Sequence, residues 1–279
     1  MGQLHIPTVT LNTGHAMPLI GLGTWPLSDD EAAAAVAAAL GQGYRLVDTA
    51  ARYGNEAGVG RGIAAAGLPR AELFVTTKLR GRDHGYAETK AALGRSLEAL
   101  RLDYVDLYLI HWPLPRVDKY VASYRAILEL VEEGLVRSAG VSNFKRHHLQ
   151  RLIDETGVTP AVDQIQLSPA LPRPDIRAYL AEGGIATQGW SPLGLAQGVP
   201  DAPLVAELAA KYGRTPAQII LRWHVQQGIS AIPKSADPRR QAENAAVFDF
   251  ALDAAEIAAL ATLDVGEAVA RDADTHEIF

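Results

Sequence analysis

The sequence contains no cysteine, and this absence excludes several kinds of chemistry. Without a thiol the chain cannot form disulfides, use a thiolate nucleophile or bind zinc through cysteine. It also lacks an excess of basic residues, because its 279 residues include 26 Lys and Arg against 32 Asp and Glu, for a net charge of −6. Nucleic-acid-binding surfaces normally carry clustered positive charge, so we expect no nucleic-acid partner.

Long hydrophobic runs are absent too. No apolar segment approaches the ~20 residues that a transmembrane helix needs. The first residues, MGQLHIPTVTLNTG, lack the apolar stretch of a signal peptide. We therefore expect a cytoplasmic protein that does not bind membranes. No linker-like change in composition divides the chain, so we interpret residues 1–279 as a single domain and expect a monomer.

Strand-like and helix-like segments alternate along the chain. TVTL (8–11) and MPLI (17–20) flank a turn and predict a β-hairpin at about residues 8–20. Eight further apolar runs, most of them followed by a helical pattern, predict strands at residues 21–25, 44–49, 73–79, 104–111, 138–143, 161–167, 185–190 and 229–235. Eight such units predict an α/β fold whose parallel sheet closes into a (β/α)8 TIM barrel. A C-terminal tail follows at about residues 265–279.

Three helix starts are marked by capping residues. Ser28 with Glu31, and Thr215 with Gln218, have the spacing of a capping box, in which each side chain bonds the backbone N–H of the other residue. Asp237 precedes a proline, and proline suits the first position of a helix. These signals predict where three of the helices begin.

A doubly wound nucleotide-binding fold is the alternative to the barrel. That fold normally has a G-x-G-x-x-G turn between a strand and a helix. The nearest match, GLGTWP at residues 21–26, lacks the third glycine, and Gly58 and Gly60 lie inside a predicted helix. The sequence therefore favours the barrel.

Four polar residues lie at or just after the ends of three predicted strands: Asp48, Tyr53, Lys78 and His111. In barrel enzymes the carboxyl ends of the strands converge on the rim that carries the chemistry. A carboxylate, a phenol, an amine and an imidazole gathered there can transfer a proton to a carbonyl oxygen. This pattern predicts an enzyme.

The four residue types suggest separate roles. A tyrosine hydroxyl has a pKa near 10, which is poorly matched to acid catalysis at neutral pH. Lys78 would favour the phenolate, and lowering the pKa of Tyr53 from ~10 to ~7 corresponds to ~4 kcal/mol. Asp48 would keep Lys78 protonated, and His111 would orient the carbonyl. Taken singly, each residue also has a structural interpretation, such as an ion pair at the barrel rim.

Five segments in order resemble the aldo-keto reductases: YRLVDTAARYGNE (44–56), TTKL (76–79), DLYLIHWP (106–113), GVSNF (140–144) and IPKS (232–235). The resemblance runs from about residue 7 to about residue 264 and is strongest to the bacterial branch that includes 2,5-diketo-D-gluconate reductases. It implies a (β/α)8 barrel, NADPH or NADP⁺ bound without a Rossmann fold, and an oxidoreductase that reduces small aldehydes and ketones with Tyr53 as general acid.

A basic cluster lies at the end of the last predicted strand and the start of the helix that follows it. Lys234, Arg239 and Arg240 lie in KSADPRR (234–240) of an otherwise acidic chain. Loops after the last strands of a barrel often bind phosphate, and a helix N-terminus adds N–H donors. The alternative is a solvated basic turn that caps a helix.

The resemblance implies contacts to NADPH along the whole rim. Lys234, Ser235 and Arg240 would hold the 2′-phosphate, and Ser142, Asn143 and Gln164 would hold the nicotinamide carboxamide. Further contacts are implied for the strand ends, the ring-stacking residue, the pyrophosphate path and the adenine site: Gly23, Thr24, Asp48, Trp190, Ser191, Pro192, Leu193, Gly194, Glu243 and Asn244.

The substrate pocket is expected to include the following residues: Trp25, Tyr53, Arg80, His111 and Trp112. The family usually has tryptophan after Lys-Leu, where this chain has Arg80, and its Asn-Gln-Ile-Glu segment is replaced by DQIQ (163–166). A guanidinium facing the pocket would favour anionic carbonyl substrates. Alternatively, Arg80 turns outward and pairs with Asp83 or solvent.

Two other functions remain open at this point. Lys78 could be the nucleophile of a Schiff-base aldolase on the same barrel, or the chain could be a non-catalytic scaffold that binds a cofactor. We predict no metal site, because His147 and His148 lack carboxylate partners at a metal-ligand spacing.

Overall fold

The computed structural model describes residues 5–276, so residues 1–4 and the last three residues of the predicted tail lie outside it. A hairpin comes first: β1 (Thr8–Thr10) pairs antiparallel with β2 (Ala16–Pro18). Its turn contacts the chain just before one barrel strand, since the amide of Asn12 donates to Pro160 O at 3.1 Å. The predicted hairpin is confirmed.

Eight parallel strands follow and pair in chain order. They are β3 (Leu22–Gly23), β4 (Leu46–Asp48), β5 (Phe74–Leu79), β6 (Val105–Ile110), β7 (Val136–Ser142), β8 (Val162–Gln166), β9 (Ala186–Trp190) and β10 (Ser230–Ala231). Parallel bridges from Ile20 to Ala231 and from Gly23 to Lys234 join the last strand to the first. The sheet therefore closes into a barrel.

Helices separate the strands. They are α1 (Asp29–Gly41), α2 (Glu56–Ala66), α3 (Tyr86–Leu100), α4 (Tyr120–Glu132), α5 (Arg146–Thr156), α6 (Pro174–Glu182), α7 (Pro203–Tyr212), α8 (Pro216–Gln226), α9 (Pro238–Ala245) and α10 (Ala254–Ala261). Both capping boxes and the Asp237 cap form as predicted. None of the helices within residues 5–276 is long and apolar enough to cross a membrane.

The strands β5 and β6 are buried on both faces. All six residues of β5 and all six of β6 are buried. Helices cover the outside of the barrel, and inward-pointing side chains of the strands fill its interior. A polar side chain on such a strand has no water to bind and needs a protein partner. The polar residues at the carboxyl ends of these strands therefore form a connected site.

Candidate active site

Lys78, at the end of β5, is the centre of the site and is 0% exposed. Its Nζ donates to Asp48 Oδ1, to the backbone oxygen of Thr49 at 3.0 Å and to Tyr53 Oη at 3.3 Å. An ammonium has three protons, and each of these has an acceptor. The geometry brings Asp48, Tyr53 and Lys78 together as predicted.

Tyr53 lies on a single 3-10 turn after β4, and Asn55 fixes that turn. The fully buried amide of Asn55 donates to Thr24 O at 3.1 Å and to Leu27 O at 2.9 Å, and its oxygen accepts from Thr49 Oγ1 at 2.9 Å. Sequence analysis missed Asn55, although it stands in the quoted segment YGNE. A short polar side chain directly after a tight turn was the signal available.

Asp48 is held from the opposite side by a chain of side-chain hydrogen bonds. Gln164 Nε2 donates to Asp48 Oδ2 at 2.7 Å and to Gln188 Oε1 at 2.6 Å. Gln188 in turn donates to Ser230 Oγ at 3.1 Å. The chain crosses β4, β8, β9 and β10, and sequence analysis did not identify its last two members.

These contacts determine the charges. Both carboxylate oxygens of Asp48 accept hydrogen bonds, so the group carries no proton, even though burial raises its pKa against the opposing effects of Lys78 and Gln164. Burial would lower the pKa of Lys78, but Asp48 and Tyr53 outweigh it and raise that pKa above its ordinary value. The pair is an ammonium and a carboxylate.

The pKa of Tyr53 differs from the sequence-based expectation. Burial raises the pKa of its hydroxyl, and Lys78 opposes this rise while Asp48 adds to it. The effect of Lys78 thus has the predicted direction, but desolvation is larger and the net pKa is raised. The expectation that the pKa of Tyr53 falls is wrong for this geometry, because desolvation was left out.

His111, directly after β6, faces Tyr53 edge-on with 5.7 Å between the ring centroids. Burial, with a further contribution from Lys78, lowers the pKa of His111 well below its ordinary value. The ring is therefore neutral near pH 7 and carries one N–H. All four predicted acid–base residues lie in one place.

The residues predicted to contact the nicotinamide carboxamide form a second cluster beside Asp48. Asn143 adopts a left-handed backbone conformation with φ 63°, and its amide donates to His111 O at 3.0 Å and to Ser142 Oγ at 2.9 Å. Trp190 Nε1 donates to Asn143 Oδ1 at 2.9 Å, and Ser142 Oγ donates to Gln164 O at 2.8 Å. The structure brings these four residues together.

The loop after β9 is tightly constrained. Ser191 and Gly194 both have positive φ, at 50° and 59°. A Cβ at Gly194 would lie 2.5 Å from a methyl group of Val199 and 2.9 Å from Ser168 Oγ, so only glycine fits. Pro192 and Leu193, the predicted residues between them, are buried and half-buried.

The basic cluster lies at the start of α9, next to β3, the first strand of the barrel. Gly23 bridges to Lys234, and a Cβ at Gly23 would be 2.7 Å from Ile232 O. Lys234 and Arg240 are exposed, and neither forms a salt bridge within residues 5–276. Arg239 lies 3.5 Å from Asp237.

The other predicted residues at α9 differ in accessibility. The Ser235 hydroxyl is buried and bonds the backbone of Asp237 at 3.1 Å. Glu243 is exposed, whereas Asn244 is only 5% exposed. The two unpaired cations, Lys234 and Arg240, are therefore the groups most available to a ligand.

A model of the Aldo/keto reductase family matches residues 19–265. The chain belongs to this family. Methylglyoxal reductase DkgA of Escherichia coli (strain K12) is 49% identical over 270 residues, which are 96% of this chain and 98% of that relative. 2,5-diketo-D-gluconic acid reductase B of Corynebacterium sp. is 50% identical over 273 residues, 98% and 99% of the two chains. The predicted family and oxidoreductase class are confirmed.

Solved structures confirm the barrel. An aldo/keto reductase from Brucella melitensis superposes with a TM-score of 0.90 at 47% identity, covering 93% of this chain and 100% of that chain. A mutant of Gox0644 in complex with NADPH superposes with a TM-score of 0.94 at 41% identity, covering 98% and 100%.

In this aldo/keto reductase the two tryptophans predicted for the pocket have different surroundings. Trp25 is 52% exposed, with its ring centroid 5.2 Å from that of Tyr53. Trp112 is buried, and the ring of His276 from the C-terminal tail contacts it at 4.4 Å. Sequence analysis did not identify this contact between the tail and Trp112.

Arg80 lies near Asp83, one of the two partners named for its outward alternative, but its Nε is buried and has no hydrogen-bond partner within residues 5–276. Its Nε lies 3.6 Å from Asp83 Oδ2, and Asp83 also pairs with Arg95 at 2.9 Å. Asp163, which departs from the family pattern, is fully buried, and its Oδ2 has no hydrogen-bond partner within residues 5–276.

Proposed function

We propose that this enzyme reduces aldehydes and ketones to alcohols with NADPH, and that Tyr53 donates the proton. The observation that supports this most is the position of the Lys78 ammonium, 3.3 Å from Tyr53 Oη and bonded to Asp48. Proton donation leaves a phenolate, and a fixed cation stabilises that product more than the neutral hydroxyl. Lys78 therefore assists the acid in the step in which the proton leaves.

The residues fit a nicotinamide cofactor that carries a 2′-phosphate. Two exposed cations that form no salt bridge within the described residues, Lys234 and Arg240, adjoin the N-terminus of α9, where backbone N–H groups also favour an anion. When bound, NADPH supplies the hydride to the carbonyl carbon. Ser142, Asn143 and Gln164 would hold its carboxamide. The remaining proposed contacts are Gly23, Thr24, Trp190, Ser191, Pro192, Leu193, Gly194, Ser235, Glu243 and Asn244.

His111 would bind the carbonyl oxygen. A neutral imidazole next to Lys78 donates a hydrogen bond without adding a second buried positive charge. Together, Tyr53 and His111 would fix the carbonyl oxygen so that its carbon faces the nicotinamide. All these groups belong to one chain, so we also propose that residues 1–279 act as a single-domain monomer.

An aldolase mechanism is less well supported. A Schiff base forms when the lone pair of a neutral amine attacks a carbonyl. Lys78 is fully buried, its pKa is raised, and its three protons all have acceptors. The side chain therefore has neither a free lone pair nor access to a substrate carbonyl.

A turnover assay tests the proposal. NADPH oxidation should be measured with small aldehydes, dicarbonyls and keto-sugar acids, with NADH as the comparison. We expect oxidation that depends on the carbonyl compound. Tight NADPH binding without turnover of any carbonyl would instead support the scaffold. Borohydride trapping of substrate on Lys78 would support the aldolase.

A further inference from the structure

The C-terminal tail is tied to the start of α5 by a carboxylate, Asp274. Its Oδ1 lies 3.0 Å from His147 Nε2 and 3.0 Å from His148 Nε2, and its Oδ2 accepts from Lys145 Nζ at 2.6 Å. Asp272 is a second, exposed partner of Lys145. The tail thus meets three groups that lie around the N-terminus of one helix.

The cluster also has the composition of a metal site, but one contact argues against that interpretation. His148 Nδ1 accepts a hydrogen bond from the backbone N–H of Lys145 at 3.2 Å. A neutral imidazole whose Nδ1 accepts carries its proton on Nε2, and a protonated nitrogen cannot bind a metal. His148 therefore presents an N–H group to Asp274 at 3.0 Å, an electrostatic contact that lacks hydrogen-bond geometry.

A hydrogen-bonded turn connects Asp274 to Trp112, a residue proposed for the substrate pocket. Asp272 Oδ1 accepts from Asp274 N at 3.0 Å, and Asp272 O accepts from His276 N at 2.8 Å. Within this turn Ala273 is only 4% exposed and packs in a small apolar cluster with Trp112. The ring of His276 lies against the same tryptophan at 4.4 Å.

We propose that Asp274 is a positioning residue for the substrate pocket. By bonding Lys145 and His147 and lying 3.0 Å from His148 Nε2, it holds the turn at residues 272–276, so that Ala273 and His276 form a wall on Trp112. This inference rests on the proposed carbonyl reductase, because Trp112 directly follows His111, the residue assigned to orient the carbonyl. Asp274 acts through the tail and touches neither substrate nor cofactor.

Two isosteric variants distinguish the positioning role of Asp274 from the effect of removing one negative charge from the tail. We call the contacts of Asp274 with Lys145, His147 and His148 the clamp. Asp274→Asn weakens all three of these contacts. Asp272→Asn removes the same charge two residues away and weakens one contact to Lys145, but its amide oxygen can still accept from the N–H of residue 274 and so preserves the turn. Asp272 also contacts neither histidine in the described structure.

The kinetic experiment compares KM and kcat for a small and a bulky aldehyde, together with the Kd for NADPH. In Asp274→Asn we expect KM for the bulky aldehyde to rise on the order of 5-fold, with kcat and the Kd for NADPH nearly unchanged. Asp272→Asn should stay within about 2-fold of the unsubstituted enzyme. Asp274→Glu should recover part of the loss. Equal changes in KM for the two Asn variants, or none in either, would overturn the proposal.

A second measurement does not depend on turnover. Arg271 is exposed and directly precedes the clamped turn, so brief trypsin treatment should release residues 272–279 faster from Asp274→Asn than from Asp272→Asn, as measured by intact mass. Equal release would contradict the clamp itself. Faster release from Asp274→Asn in a protein that turns over no carbonyl would keep the clamp and reject the proposed function.

Discussion

Lys78 donates to Tyr53 Oη at 3.3 Å while its other protons bond Asp48 and Thr49. Burial and the contact with Lys78 have opposite effects on the acidity of the Tyr53 hydroxyl. Burial keeps its pKa high, and the ammonium stabilises the phenolate that remains after donation. The Tyr53 hydroxyl is therefore a weak acid before substrate binds. Once it has donated its proton, the Lys78 ammonium stabilises the phenolate that remains.

Tyr53→Phe tests the assignment of the acid. We expect a loss in kcat/KM of about 10²–10⁴-fold or more, because the proton donor is removed while the ring that packs on Trp25 remains. The Kd for NADPH should be nearly unchanged. Turnover at the unsubstituted rate would exclude Tyr53 as the donor.

Arg240→Ala tests how the cofactor phosphate is recognised. A charge-assisted contact to a phosphate contributes ~1.5–3 kcal/mol, so the Kd for NADPH should rise by roughly 10- to 100-fold and that for NADH far less. Arg239→Ala is the matched control, because Arg239 is its neighbour but pairs with Asp237. Equal weakening of NADPH and NADH would mean that Arg240 does not read the phosphate.

Strand ends and helix starts were predictable because their causes are local. A parallel barrel places the carboxyl ends of its strands on one rim, so Asp48, Lys78 and His111 could be grouped from the sequence alone. The contacts of Gln188 and Asp274 could not be predicted from the sequence. Their partners are remote in sequence: Asp274 pairs with a lysine 129 residues away, and no local pattern records such a contact.

The pKa of Tyr53 was not predictable for a different reason. Its direction depends on the balance between desolvation, which raises the pKa, and Lys78, which lowers it. A sequence shows that a lysine is available, but it does not show how completely the hydroxyl is shielded from water. The direction of the Arg80 side chain was not predictable either. The sequence allowed it to face the pocket or to pair with Asp83, and only the structure shows the contact with Asp83.

Arg80→Trp tests whether the guanidinium selects anionic substrates. Because Arg80 lies 3.6 Å from Asp83, its charge is already partly neutralised. We expect the ratio of kcat/KM for a carboxylated aldehyde to that for its neutral analogue to change by less than about 2-fold. A fall of tenfold or more in this ratio, reduced by high salt in the unsubstituted enzyme, would show that Arg80 binds the substrate carboxylate.

Two buried aspartates should respond in opposite ways to the same substitution. Burial raises the pKa of Asp163 well above its ordinary value, and its Oδ2 has no partner within residues 5–276. Since the folded pKa exceeds the unfolded one, ionisation of Asp163 lowers the free energy of unfolding progressively as pH rises above ~4. Asp106 instead accepts from Arg70 at 2.6 Å and from Val75 N at 2.9 Å.

We therefore expect Asp163→Asn to raise the free energy of unfolding by ~1–3 kcal/mol at about pH 8, with little difference at about pH 4. Asp106→Asn should lower it by ~1–3 kcal/mol at about pH 8, because the hydrogen bonds to a charged acceptor are weakened. Urea unfolding of both variants at the two pH values measures this. If Asp163→Asn destabilised the fold at about pH 8, the carboxylate would have to be stabilised by a further partner in solution, and the assignment of Asp163 Oδ2 as a buried oxygen without a partner would be wrong.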